Sequence, residues 1–444
     1  MKNISNNKHD FTIGGMYGSS GAYIVEDLSK SFDNLVIILD NNNQAISFRD
    51  ELLLFIDNKN KISLYLDIEC FPYENIIIDN DVVSERLKTY RHLLTEKKNI
   101  ILTTYSAVSK RVLPIDSIKK SYKIINIQYK YKQVLDTLKT LNYERTDRVV
   151  NKGEYTIKGS IIDVYSAIEE HPIRMSFDGD DIEFIKSFDI ESQKTILEIN
   201  SFVLSASNEI ILDQDSIDLY KKSCAKVFDE EYVSDIEYTK ITQGLLTMSI
   251  HNIVPLLYKS LSHIFNFIPK ASNAIVSLKD PIKELSLISE RYNEYYSKYK
   301  NDKYILHPFK LIISGNEYLE YKKYFKNIIL SIYKVNEGGS SINLSIKKLP
   351  SLLINNTYKD PYKSLKDFIK NTTTKVIFCI DRNSLRLELL NMLDSINKKY
   401  LITETIPELR KTKANIIICK KYITEGFIDY SKKITLISSK DIFG

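Results

Sequence analysis

There is no tryptophan in these 444 residues, so Tyr (30) and Phe (18) must supply the aromatic part of the core. Cysteine is scarce and scattered: Cys70, Cys224, Cys379 and Cys419 lie far apart, and no Cys-x-x-Cys pair occurs. That spacing argues against a structural zinc site and against a disulfide framework. Cys379 and Cys419 fall inside apolar runs and read as small buried residues of a reducing compartment. No run of about 18 apolar residues appears, which excludes an ordinary membrane-spanning helix. The N-terminal stretch from Met1 to Asp10 lacks the apolar centre of a signal peptide, and a cytoplasmic location is the expectation. Charge of one sign is not in large excess either. Lys+Arg 62 against Asp+Glu 57 leaves +5, too mild to demand nucleic acid as a partner. With 43% hydrophobic and 27% charged residues the balance is that of a globular protein. At roughly 100–200 residues per domain the length allows about three domains.

Catalytic patterns are missing as well. The six histidines form no His-Glu-x-x-His, and no Ser or Cys has a partner at motif spacing. His92 and His251 lie on helix-like segments and read as surface or capped residues rather than ligands. Asp229-Glu230-Glu231-Tyr232 has the composition of a helicase acidic box, but no apolar strand precedes it. It reads as a solvated acidic turn. No metal site and no cofactor are expected.

What is present is a change of texture along the chain. Leu35–Leu39, Ile62–Leu66 and Asn99–Thr104 are short apolar runs separated by helical patterns over 43–56 and 81–94. Strand, helix, strand, helix is the signature of a parallel α/β layer. From Ile124 to Phe202 the runs become short and alternating, with Asp178-Gly179 marking a hairpin, which predicts a small β-rich domain. Residues 207–300 read as mostly helical. A second α/β pattern follows, with strands at 375–380, 415–419 and 434–437 and a helix over 383–396. The predicted fold class is therefore multidomain α/β: a degenerate P-loop-type parallel domain (1–120), a small β-rich α+β domain (121–206), a helical remainder of the first module (207–300) and a C-terminal α/β domain (301–444).

Gly15-Met16-Tyr17-Gly18-Ser19-Ser20-Gly21-Ala22 is the most informative stretch. A phosphate-binding loop reads G-x-x-x-x-G-K-[ST], with the Lys on the terminal phosphates and the hydroxyl on Mg²⁺. In that register Ser20 replaces the second Gly, Gly21 the Lys and Ala22 the Ser/Thr. Gly15, Gly18, Ser19, Gly21 and Ala22 thus form a degenerate nucleotide loop without a cation or a metal ligand. An ordinary Gly-rich turn is the alternative reading of the same residues.

Three groups of residues carry a family resemblance. Phe71-Pro72-Tyr73-Glu74, Ser84-Glu85-Arg86-Leu87 and Thr103-Thr104-Tyr105-Ser106-Ala107 resemble the first domain of UvrB and of the transcription-repair coupling factors (Mfd). Gly153-Glu154-Tyr155, Gly159–Asp163, Arg174–Phe177, Asp180–Glu183 and Phe188–Thr195 are similar to their shared second domain. Gly426–Asp429, Ile434–Ile437 and Asp441–Gly444 resemble the end of the coupling factors' third region. The decayed loop at Gly15–Ala22 favours the N-terminal, UvrB-like part of a coupling factor over UvrB itself.

The resemblance implies a non-catalytic chain whose second domain binds UvrA, the damage-recognition ATPase, in transcription-coupled nucleotide excision repair. It places Lys158, Arg174, Phe177, Asp181 and Glu183 at that interface. Lys158 stands where the family carries Arg, which keeps the charge but loses the planar two-pronged donor. Asp178 follows Phe177 where a second aromatic is usual. RNA polymerase and DNA would be engaged, and ATP hydrolysed by a DNA translocase that releases stalled polymerase, through regions of the parent protein absent from this chain, read here as a truncated product or a fragment. No small-molecule substrate and no membrane partner are implied. Two alternatives are kept: a UvrB-like nucleotide-dependent DNA-damage enzyme, and a salt-sensitive DNA-binding module using Lys119, Lys120, Lys130 and Lys132.

Overall fold

The computed structural model describes residues 10–56, 61–70, 73–74, 78–228, 230–301, 304–403 and 412–444. Phe71, Pro72 and Asp229, quoted above, lie outside the described residues.

The apolar run at Leu35–Leu39 forms a strand because its alternate side chains can be buried on opposite sides. Leu35, Ile37 and Leu39 enter one core, while Val36 and Ile38 enter another. This strand lies within a seven-stranded parallel sheet. In spatial order the strands are Ser341–Asn343, Phe11–Gly14, Lys326–Leu330, Asn273–Ser277, Asn34–Leu39, Asn99–Thr104 and Lys61–Tyr65. The sheet is therefore completed by three strands that the chain supplies only after leaving and returning. A chain of amides sets the meeting point. Asn34 Nδ2 donates to Asn273 Oδ1 at 2.8 Å, and Asn99 Nδ2 donates to Asn34 Oδ1 at 3.1 Å.

This corrects the boundary expected at residue 301. Lys326–Leu330 and Ser341–Asn343 belong to the first sheet, and the C-terminal sheet begins with Ile346–Lys347. The physical reason is that these strands are short and pair in parallel with partners far away in sequence, so local pattern does not reveal their sheet.

The excursion between them is the β-rich unit. Its six strands are Thr195–Ile199, Asp181–Phe188, Ile173–Asp178, Ile161–Val164, Glu154–Lys158 and Glu144–Arg145, antiparallel except for the last pair. A ribbon of Tyr122–Asn126 with Ser201–Ser205 and the helix Tyr131–Thr140 close its core, where Val134 and Leu138 meet Ile162, Val164 and Met175. The third sheet orders Ile346–Lys347, Phe427–Asp429, Ile434–Ser438, Lys375–Cys379, Ile416–Cys419 and Leu401–Thr403. Cys379 and Cys419 are cross-strand neighbours and fully buried, and burial pushes the Cys379 thiol far up. One face of this sheet packs on the first unit, joining Ile377, Phe427 and Leu436 to Tyr23 and Leu54.

Where the excursion leaves and rejoins the first unit, polar stitches accompany a small apolar cluster of Val83, Leu87 and Ala167. Arg86 (5% exposed) pairs with Glu209 (3% exposed) and donates to Tyr65 Oη at 2.7 Å and Leu66 O at 2.9 Å. Lys152 Nζ donates to Ser84 Oγ at 2.8 Å, and Tyr122 Oη donates to Leu87 O at 2.7 Å.

His251, expected as a surface or capped residue, is instead enclosed, and so is His263. His263 Nε2 donates to Val108 O at 2.5 Å and its ring stacks on Tyr321 at 4.6 Å. His251 lines a cavity of about 50 Å³, and its Nε2 has no hydrogen-bond partner. Burial, aided by Arg86 and Lys110, pushes His251 down to about 3, and burial pushes His263 down to about 4. Both values lie below the unfolded histidine value of about 6.5. The neutral forms are therefore preferred in the fold. Their contribution is complete above about pH 6.5 and is lost as pH falls towards 4, by roughly 3 kcal/mol for His263. Thermal melting should show a falling midpoint over that window, with a smaller fall in His251→Leu. A flat profile would contradict it.

Candidate protein interface and the degenerate loop

The outer face of the β-rich unit is built by strand register. Thr156, Asp163, Arg174, Lys186 and Glu198 are successive cross-strand neighbours, so they form one row across five strands. Lys158, Ile161, Ser176 and Phe184 form the next row. Alternation sends Ile162, Met175 and Ile185 to the opposite face, into the core.

Of the residues expected at this interface, Lys158 is exposed at the end of its strand, beside a turn where Gly159 takes a φ of +59°. Arg174 is on the outer face, but its guanidinium is already engaged. Nε and Nη2 donate to the Asp163 carboxylate at 2.7 and 2.8 Å, Nη2 also reaches Gln193 Oε1 at 3.0 Å, and the group lies over the Phe188 ring at 4.4 Å. The Asp163 hydrogen bonds hold the Arg174 pKa above the ordinary value. Asp181 is paired with Lys130 at the turn end. Glu183 is the extra residue of a bulge between Ile182 and Phe184, which turns it outward, where it accepts from Ser176 Oγ at 3.2 Å.

Phe177, expected on this face, points into the core instead. It is 4% exposed, packed edge-on against Tyr131 at 5.0 Å within the core. It alternates in phase with Ile173 and Met175, so the pleat directs it inward. Phe184 and Lys186, not singled out from the sequence, share the outer face, with Lys186 Nζ 3.9 Å above the Phe184 ring. Alternation counted through the hairpin alone would turn both inward; the bulge at Glu183 reverses the phase and brings them out. As for the basic residues of the DNA alternative, Lys130 is paired with Asp181, and Lys119 lies 3.5 Å from Asp116.

The Gly15–Ala22 segment joins the strand Phe11–Gly14 to the helix Ser20–Ser29, the strand–loop–helix setting in which phosphate loops occur. Gly15 and Gly18 take φ of +74° and +51°, conformations that favour glycine. Gly21 backs onto Phe48, where an added Cβ would sit 3.3 Å from the ring. Ala22 is fully buried in the core. Both positions therefore face packed protein. The cleft side is filled by the C-terminal unit. Ser19 N donates to Glu425 O at 2.9 Å, and Tyr17 Oη donates to Glu425 Oε1 at 2.6 Å. Ser19 Oγ and Thr424 N donate to Glu51 Oε1 at 2.6 and 2.8 Å. Burial first, and the Glu425 carboxylate second, push the Tyr17 phenol up to about 12. Among the described residues no group of three or more His, Cys, Asp or Glu is placed to hold a metal ion, and no helix is long and apolar enough to cross a membrane.

The chain folds as a parallel α/β unit interrupted by a small β-rich unit and backed by a second α/β sheet. Two family matches fall on it: "UvrB interaction domain" over residues 125–209 and "MFD, D3 domain" over residues 368–442. The chain is also similar to transcription-repair-coupling factors, being 22% identical to that of Haemophilus influenzae and 23% to that of Escherichia coli. Each of these matches covers 97% of this chain and 38% of the relative. The coupling factor of Rickettsia prowazekii is 26% identical over 95% of this chain and 37% of its own length. The resemblance read from the sequence stands: this chain is similar to transcription-repair-coupling factors over nearly its whole length, and it spans well under half the length of these relatives.

Proposed function

We propose that this chain is the UvrA-recruiting and regulatory module of a transcription-repair coupling factor, acting in transcription-coupled nucleotide excision repair in the cytoplasm. The observation that carries it is the UvrB interaction domain at 125–209, whose outer face offers Lys158 at a strand end and, three strands across the same face, the half-exposed Phe184 and Lys186. An acidic partner surface would meet one exposed cation and an aromatic flank there. Arg174 contributes by shaping the face, since its charge is already answered by Asp163. Recognition of stalled RNA polymerase and ATP-driven movement on DNA belong, in this reading, to other regions of the whole protein.

The chain itself turns over no nucleotide. The loop lacks a phosphate Lys and a metal hydroxyl at Gly21 and Ala22, and its cleft side is filled by Glu51, Thr424 and Glu425. Capture of cognate UvrA on immobilised chain, beside an ATPase assay with Mg²⁺, tests both halves. UvrA should be retained and no phosphate released. Lys158→Glu, at an exposed position, should lower retention at least tenfold with an unchanged melting temperature. ATP turnover by the purified chain would favour the UvrB-like enzyme instead.

A further inference from the structure

In a working phosphate loop the glycine-rich turn and the start of the following helix receive an anion, because unpaired N–H groups and the helix dipole favour negative charge there. The chain places its own anions at this spot. Glu51, on the helix Asn42–Phe55, is 6% exposed, and the donors to its Oε1 are neutral: Ser19 Oγ at 2.6 Å and Thr424 N at 2.8 Å. Ser19 stands at the N-cap position of the helix Ser20–Ser29, but its side chain makes no cap hydrogen bond there. Its N–H is taken by Glu425 O at 2.9 Å, and Glu425 N returns to Ser19 Oγ at 3.3 Å. The fit is close: a Cβ added to Gly18 would lie 2.5 Å from Glu425 O. Ser19 and Tyr17 belong to the first unit, and Thr424 and Glu425 to the third. Glu51 thus bridges two domains through one oxygen.

We propose that the degenerate loop is a self-liganded socket. The Glu51 carboxylate and the Thr424–Glu425 segment stand in for a nucleotide's phosphates and lock the first and third units together without nucleotide. The anion that would replace Glu51 is a carboxylate or a phosphate. The flanking Lys432–Asp27 ion pair and the Lys432 ammonium over Tyr23 at 4.4 Å fasten the same junction on its outer side. The lock is independent of UvrA recruitment, so either reading can fail while the other stands.

Hydrogen exchange on the intact chain, read by peptide, tests the lock. In Glu51→Ala, peptides covering 17–23 and 422–427 should exchange at least tenfold faster, while peptides within 125–209 keep their wild-type protection. Sodium acetate or inorganic phosphate should restore protection in Glu51→Ala, where matched sodium chloride does not, and should leave the wild type unchanged. Gly18→Ala should open the same two peptides by steric exclusion, and no anion should rescue it. Unchanged protection in both variants, or an acetate effect equal in variant and wild type, would overturn the proposal. If Glu51→Ala is lost to misfolding, Gly18→Ala read against the 125–209 peptides still decides.

Discussion

Replacing Glu209 with Ala should destabilise the protein by about 3–5 kcal/mol, because it leaves the Arg86 guanidinium buried without its counter-ion. Arg86 is 5% exposed, and Glu209 meets it from the point where the chain returns from the β-rich unit, with Nη2 to Oε2 at 3.0 Å. Tyr65 Oη and Leu66 O can solvate part of the charge but cannot neutralise it. Arg86→Met combined with Glu209→Ala should cost less than Glu209→Ala alone, since neither charge is then left buried without its partner. Denaturant titration of both variants measures the difference. Equal stability of Glu209→Ala and wild type would show that the pair is not what ties the two units.

Arg174→Glu should be nearly as damaging, and in two ways. It places a carboxylate against Asp163, whose own carboxylate now receives two charge-assisted bonds from Arg174, and it removes the cation over Phe188. Arg174 is partly open to solvent, which screens the loss, so about 2–3 kcal/mol is expected. UvrA retention should fall at least tenfold as well, through distortion of the face that carries Lys158 and Phe184. Arg174→Lys should lie between, because it keeps charge but not the fork that fits Asp163. Melting curves and UvrA capture on the same preparations separate the two effects. Wild-type behaviour of Arg174→Glu in both would contradict the role given to this residue.

Much of the scaffold could be read from local pattern. The runs at 35–39, 99–104 and 375–379 announce buried strands because the apolar stretch exceeds what a half-exposed strand needs. The Asp178-Gly179 turn announces its hairpin for a chemical reason, the φ of +59° at Gly179. What stayed hidden depends on partners distant in sequence. Phe11–Gly14 has four residues and becomes a strand only between Lys326–Leu330 and Ser341–Asn343. The residues of the candidate interface show the same division. That Lys158 ends a strand was legible, and the alternation with Ile173 and Met175 that turns Phe177 inward was there to be read, but that Phe184 points outward depends on a bulge at Glu183 that no local rule places. The Arg86 and Ser84 motif carried the resemblance, yet its work of stitching two units together emerges only from Glu209, Ala167 and Lys152. In the loop, the missing Lys and hydroxyl were visible, whereas the segment that fills the cleft lies 406 positions beyond Ser19.

The most direct measurement is a calorimetric titration of cognate UvrA into this chain and into Lys158→Glu, without added nucleotide. Saturable binding by the wild-type chain, weakened at least tenfold by Lys158→Glu with the fold intact, is the predicted result. A folded chain that gives no binding heat with UvrA, or a Lys158→Glu variant that binds as tightly as wild type, would contradict it.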